Sequence, residues 1–329
     1  MDRKREHYLI SILVPIYGVE RFIGTCAESL FSQSYENLEY IFVDDCTPDG
    51  SIDILQGTLK RYPMRQSQVK IIRHQSNRGL GASRKTALTA SNGTFVLNVD
   101  SDDYLTEGAV DALMDVQEKT DADIVSGSYI QLLPNGERQE MTVRHLDKEL
   151  MLKLLLMQNT IPQNIWARLI RKSVYTTNGI DSVEGIDMAE DYALTPRLIH
   201  AAHSIAFCDK AVYVYRLGSA TSTFGAFMKP RHIISFLSAN DTVRQYIQAC
   251  KDRDRYQYAL ETGLLNTFQK AFAAGFSKEQ ILEVMPHTPQ LILFRICNLL
   301  FAHKLSERLL RLTYLAVKWC YKRILRIRD

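Results

Sequence analysis

Thr94-Phe95-Val96-Leu97-Asn98-Val99-Asp100-Ser101-Asp102-Asp103-Tyr104 is an apolar strand that runs straight into three carboxylates within four positions. Stability gives a buried strand no reason to end this way. Like charges so close repel, and each raises its neighbour's pKa unless a cation sits among them. Asp-x-Asp at the carboxyl end of a strand offers the hard oxygen ligands that magnesium and manganese take, one or two carboxylates completed by substrate phosphates. The same residues also suit a plain turn in which Asp103 caps the next helix, since Asp is a preferred turn and cap residue. The neighbouring strands decide between the two.

Residues 8–17 are β-rich and mostly apolar, the pattern of a strand buried on both faces, with Pro15 confined to its end because it cannot donate to a ladder. Glu20 to Ser34 carries Phe22, Ile23, Cys26, Leu30 and Phe31 at helical spacing. Leu38 to Val43 is a second strand, ending in Asp44-Asp45, and the turn residues Thr47 to Ser51 follow it. Ser51 or Asp49 is expected to cap a helix that runs to about Tyr62. Val69 to Arg73 is a third strand, Gly81 to Ala90 a helix, and Thr94 to Val99 the fourth strand. This alternation predicts an α/β fold, a doubly wound, mostly parallel sheet with helices on both faces. Ligands of such sheets sit beyond the carboxyl ends of the strands, so one rim gathers Pro15-Ile16-Tyr17, Asp44-Asp45 and Asp100-Ser101-Asp102. Three special endings on one edge favour a site over a turn. Residues 77–85 add glycines, Arg78, Arg84 and Lys85 around a helix start, chemistry suited to phosphate. A dinucleotide-binding reading fails, because no G-x-G-x-x-G follows the first strand and no Walker A sequence occurs.

With 329 residues, 46% apolar and 23% charged, the chain has the composition of a globular protein long enough for one large domain and a smaller appended region. The six cysteines include no CxxC pair and no nearby His at zinc spacing, the usage of a reducing compartment. A charged stretch, Met1 to His7, leads directly into the first strand, so no secretion signal is expected. The net charge of +3 is uneven: Lys304 to Asp329 holds eight Lys or Arg against two acids, which leaves −3 on the preceding 303 residues. No domain-wide basic surface argues for nucleic acid.

In order and spacing, Val14 to Tyr17, Glu36 to Ser51, Asn77 to Arg84 and Asp100 to Asp103 resemble glycosyltransferase family 2. The resemblance covers residues 8–222. It implies a glycosyltransferase A-type fold over residues 1–225 and an inverting, metal-dependent enzyme that uses a nucleotide-diphospho-sugar donor. It also implies roles. Pro15 and Tyr17 would line the nucleobase pocket and Asp44 would accept a hydrogen bond from the base, while Asp45 would order the loop. Arg84 would lie near the donor, toward its diphosphate. Asp100 would approach the ribose, Asp102 would hold the divalent metal (manganese or magnesium), and Asp103 would support it or reach the donor sugar. By itself Glu190-Asp191 reads as two acids at a helix N-terminus, where the dipole favours them. The resemblance makes Asp191 the general base and Glu190 a residue that orients the acceptor. It sets Trp166 beneath the acceptor, against the alternative of a core Trp. The implied partners are a nucleotide-sugar donor and a glycan or lipid-linked acceptor, with self-association left open. A cytoplasmic location is expected. Two rivals remain: a non-catalytic nucleotide-sugar-binding or scaffolding subunit, and a sugar-nucleotide pyrophosphorylase, which would need a Gly-rich basic first loop that Pro15-Ile16-Tyr17-Gly18 does not provide.

Residues 226–329 are expected to be helical. Within them, Lys304, Arg308, Arg311, Lys318, Lys322 and Arg326 fall on one helical stripe, and apolar residues with Trp319, Tyr314 and Tyr321 cover most of the rest. Such a helix lies in a membrane interface or packs on protein with its basic stripe in water. Flotation with anionic liposomes separates these readings: a membrane role requires the full chain to float and a chain ending near residue 290 to stay behind.

Overall fold

The computed structural model of the chain describes residues 8–158, 161–218 and 229–288. The basic stripe at 304–329 lies outside them.

Ile, Leu and Val fill every position of Ile10–Ile16 except Ser11 and Pro15, and the segment forms a strand, β1, buried along its whole length. Helix α1 (Ile23–Phe31) follows, shorter at both ends than its apolar spacing suggests. Then come β2 (Leu38–Asp44), α2 (Ser51–Leu59), β3 (Val69–Arg73), α3 (Leu80–Ala90) and β4 (Phe95–Asn98). Gly50 is the residue before α2, and Asp49 serves its first turn by accepting from Ser51 N–H at 3.2 Å and Ser51 Oγ at 2.6 Å. After β4 the chain forms β5 (Tyr104–Leu105), α4 (Ala109–Thr120), β6 (Ile124–Leu132), β7 (Arg138–Met141), α5 (Lys148–Leu156), β8 (Arg168–Arg171), α6 (Lys172–Thr176), α7 (Glu190–Ala201) and β9 (Ile205–Arg216).

Among the described residues these strands make one sheet in the order β3-β2-β1-β4-β8-β6-β9-β5, with β7 on β6. β3, β2, β1 and β4 run parallel, as the alternation of strands and helices requires. Beyond β4 the sheet is mixed: β8 is antiparallel to β4 and β6, while β9 is parallel to β6. Ile10, Ile12, Val14 and Ile16 share a core with α1 and α4, whereas α3 packs against β1 and β2. Burial on two faces accounts for the unbroken apolar runs. Pro15 is tolerated because β4 pairs with β1 only as far as Leu13, so no rung toward β4 is lost at residue 15. The strand order reverses between β1 and β4, and the crevice at such a reversal is where open α/β sheets bind ligands.

A second compact unit takes residues 149–158, 161–163 and 229–288, so the apolar segment around α5 groups with the later helices rather than with the sheet. These helices are α8 (Pro230–Ala249), α9 (Gln257–Ala273) and α10 (Lys278–Val284). A Cβ at Gly263 would lie 2.0 Å from the Leu156 carbonyl oxygen, so glycine is what lets α9 approach the end of α5. Asn266 Nδ2 donates to the Met157 carbonyl at 2.9 Å, and Thr267 Oγ1 donates to Asn240 Oδ1 at 2.8 Å, satisfying polar groups inside this unit. No helix among the described residues is long and apolar enough to cross a membrane.

Leu97 is fully buried in the sheet core on the strand that delivers Asp100. Leu97→Ala is expected to cost about 2–5 kcal/mol in urea unfolding, the range for a large-to-small change at such a site.

Candidate active site

The end of β4 and the start of α7 meet at one side chain. Arg84, on α3, is 2% exposed, and its Nη2 donates to Asp100 Oδ1 at 2.8 Å. Its Nη1 is shared by Glu190 Oε1 at 3.1 Å and Asp191 Oδ1 at 2.5 Å. Glu190 and Asp191 are the first two residues of α7, where a helix dipole favours acids. Burial raises both from their ordinary values, Glu190 to about 8; for Glu190 the charge of Asp191 adds to this, and for both Arg84 works against it. The Ile165 N–H also bonds the Asp191 carboxylate. Arg168 on β8 lies close enough to interact with Asp191, and its own pKa falls to about 10 through burial, with Asp191 opposing the shift.

The three acids after β4 divide by exposure. Asp100 and Asp102 are partly exposed, whereas Asp103 is 1% exposed and turned inward. Asp103 Oδ1 accepts from Arg216 N–H at 2.7 Å and Oδ2 from Tyr213 Oη at 2.9 Å. The Tyr213 hydroxyl also accepts from Asp100 N–H at 3.1 Å, so β9 fixes the backbone of the turn. Asp103 titrates at about 9, through burial first and then the charges of Asp102 and Asp100. It therefore stands behind the pair rather than reaching outward toward a sugar.

At the neighbouring strand ends, Tyr17 is 46% exposed just past β1, and Pro15 is buried within it. Asp44 is buried at the end of β2, where Oδ1 accepts from Thr47 N–H at 2.8 Å and Oδ2 lies 3.3 Å from Arg73 Nε. Asp45 orders the loop into α3: it accepts from Arg78 N–H at 2.9 Å and Gly79 N–H at 2.8 Å, and meets His74 Nδ1 at 2.6 Å. His74 Nε2 in turn pairs with Thr86 Oγ1 at 2.9 Å. Asp187 accepts from Leu80 N–H at 2.9 Å. The start of α3, a phosphate cradle by sequence pattern, is thus filled by the chain's own carboxylates. Asp187 lies 107 positions from Leu80, and no local pattern announces that contact.

Arg84 differs from its expected direction as well, since both terminal nitrogens are spent on carboxylates. Trp166 is buried, stacked on Tyr213 at 4.6 Å and Tyr215 at 5.0 Å and edge-on to Tyr129 at 4.9 Å, which is a core arrangement. Arg216 places its guanidinium 4.8 Å from the Tyr104 ring centre and 5.6 Å from that of Phe22. Sequence reasoning gave no role to Tyr213 or His74. Tyr213 lies in an alternating strand pattern in which an inward tyrosine reads as core, and His74 is a single residue beyond a strand.

Comparison with known proteins covers the ends of strands β1, β2 and β4 and helix α3, and the family match ends before α7. The model of the family described as Glycosyl transferase family 2 matches residues 11–177. The uncharacterized glycosyltransferase EpsJ of Bacillus subtilis is 30% identical over 217 residues, 63% of this chain and 61% of that protein. Poly(ribitol-phosphate) beta-glucosyltransferase of Bacillus spizizenii is 30% identical over 200 residues, 56% of this chain and 31% of that protein. The chain thus spans about six tenths of the first relative and under a third of the second. Among solved structures, S. aureus TarS 1-349 in complex with UDP-GlcNAc matches with a TM-score of 0.67 at 21% identity, covering 96% of this chain and 92% of that one. At that identity the likeness speaks to the fold.

Asp103 yields a prediction with a definite sign. Its folded pKa of about 9 lies above the ordinary value near 4, so its contribution to stability is fully present below the unfolded pKa and is lost as pH rises toward 9. In EDTA, the Tm of Asp103→Asn is expected to gain on that of the natural chain as pH is raised through this window. Asp103→Ala, which removes the acceptor of Arg216 N–H, is expected to be about 1–3 kcal/mol less stable than Asp103→Asn.

Proposed function

Because the chain belongs to glycosyl transferase family 2, we propose that it is an inverting glycosyltransferase that moves a sugar from a nucleoside-diphosphate donor, with uridine as the base, onto a hydroxyl of a glycan or lipid-linked polymer. The observation that carries this reading is the meeting of the β4 carboxylates and the α7 carboxylates at the switch point of the sheet. Catalysis of transfer needs both halves, one for the leaving diphosphate and one for the incoming hydroxyl. The UDP-GlcNAc held by S. aureus TarS supports the choice of base, and the polymer substrate named for the Bacillus spizizenii enzyme supports the acceptor class.

On the donor side, the exposed Tyr17 ring and Pro15 line the nucleobase, and Asp44 retains lone pairs for a base N–H beside its bonds to Thr47 and Arg73. Asp100 faces the ribose. The donor set fits a hard divalent cation: partly exposed carboxylate oxygens follow one strand, and their charge helps keep a third, buried carboxyl protonated. Asp102 would hold it. Bound there, magnesium or manganese supplies positive charge to offset what builds up on the departing diphosphate.

On the acceptor side, Asp191 takes the hydroxyl proton while Glu190 orients the acceptor. The acceptor oxygen forms a bond to the anomeric carbon as the bond to the diphosphate oxygen breaks on the opposite face, which inverts that carbon. The proton stays on Asp191 and the nucleoside diphosphate departs with the electron pair.

Purified chain with manganese is expected to show a larger thermal shift with UDP-GlcNAc than with GDP-mannose, and to release UDP. Asp102→Ala is expected to abolish metal-dependent release. Asp191→Asn is expected to keep UDP affinity and to lower kcat by roughly 100- to 10,000-fold, the range for loss of a general base. Affinity for UDP-GlcNAc with no release under any condition would instead favour a non-catalytic binding subunit.

A further inference from the structure

We propose that Arg84 is the positioning residue for the acceptor base: by gripping Asp100 with one terminal nitrogen and Glu190-Asp191 with the other, it sets where Asp191 stands relative to the donor, and it does not bind the donor diphosphate. This rests on the reading of Asp191 as the base.

The geometry excludes an accidental surface pair. The guanidinium is buried, Nη2 is 2.8 Å from Asp100 Oδ1, and Nη1 is 2.5 Å from Asp191 Oδ1 and 3.1 Å from Glu190 Oε1. A buried ion pair adds little net stability, and one cation here is shared among three acids. Such an arrangement holds a geometry. A planar fork holds its donors in fixed directions, so it sets two elements in one geometry, whereas an ammonium is a compact charge on a flexible stem.

The helix that carries Arg84 is itself clamped. Asp45 binds Arg78 N–H and Gly79 N–H, and His74 pairs with Thr86. The loop that leads to α7 is pinned to the same place: Glu184 pairs with Arg78 through Nε at 3.1 Å and Nη2 at 2.9 Å, and Asp187 takes Leu80 N–H. A Cβ at Gly81 would lie 2.2 Å from the Val183 carbonyl oxygen, so the loop lies directly on α3. Arg84 is the point at which this clamped frame reaches the base. The groups that face Asp191 are Arg84 from α3, Asp100 from the end of β4, Glu190 from α7, Arg168 from β8, Tyr175 from α6 and the Ile165 N–H. Arg84 is the cation bonded to it, and it opposes the rise that burial imposes on the carboxyl.

The test compares the natural chain with Arg84→Lys and Arg84→Met, using UDP release from UDP-GlcNAc with manganese and UDP binding by calorimetry. Arg84→Lys is expected to leave the KM for UDP-GlcNAc and the Kd for UDP within about threefold, while kcat falls by roughly 100-fold, the scale of a base displaced by about 1 Å. The acid limb of its kcat profile is expected to move to higher pH, because a more distant cation leaves Asp191 easier to protonate. Weaker UDP binding with kcat retained in either variant would assign Arg84 to the diphosphate and overturn the proposal. Natural kcat and an unmoved pH profile in a stable Arg84→Lys would overturn it too. Absence of UDP release from the natural chain itself is a separate result, which defeats the transferase reading rather than the placement of Arg84.

Discussion

One buried guanidinium facing three carboxylates is the constraint around which the first unit is arranged. Asp100 arrives at the end of β4, Glu190 and Asp191 at the start of α7, and Arg84 from the first half of α3. Asp100 lies about 90 positions before the adjacent pair Glu190-Asp191, and the acids would repel one another without the cation. Burial strengthens both the repulsion and the attraction, so the three elements must be placed closely or the arrangement costs more than it returns.

Placement is achieved with ordinary means. The parallel half of the sheet sets the ends of β1, β2 and β4 side by side, which brings Tyr17, Asp44 and Asp100 to one edge. The mixed half supplies support from behind: β9 presents the Tyr213 hydroxyl and the Arg216 N–H to the turn that bears Asp100 and Asp103. Asp103 illustrates how environment separates neighbours of the same chemistry. It holds its proton at neutral pH because it is buried behind two partly exposed acids, which leaves them to face the solvent side of the site.

Carboxylates also do structural work around α3. Asp45 and Asp187 occupy the backbone donors at the start of the helix, and Asp45 is further tied to the buried His74. An anion from the chain itself satisfies the same donors and the same dipole that a phosphate would, at no cost in ligand entropy.

The linear sequence was enough to determine the alternation of strands and helices, the rim on which the acids fall, and the residue types able to serve a metal-bridged diphosphate. Each follows from local physics: apolar periodicity, the intolerance of ladders for proline, and the repulsion of adjacent carboxylates. Tertiary structure alone decided which acids are exposed, that Arg84 turns toward Asp191, that Trp166 stacks inside the core, and that the start of α3 is already filled. These outcomes depend on contacts between residues as far as 107 to 113 positions apart, such as Arg84 with Asp191 and Asp103 with Arg216. A local pattern states what a side chain can bond; only the packed chain determines which partner arrives.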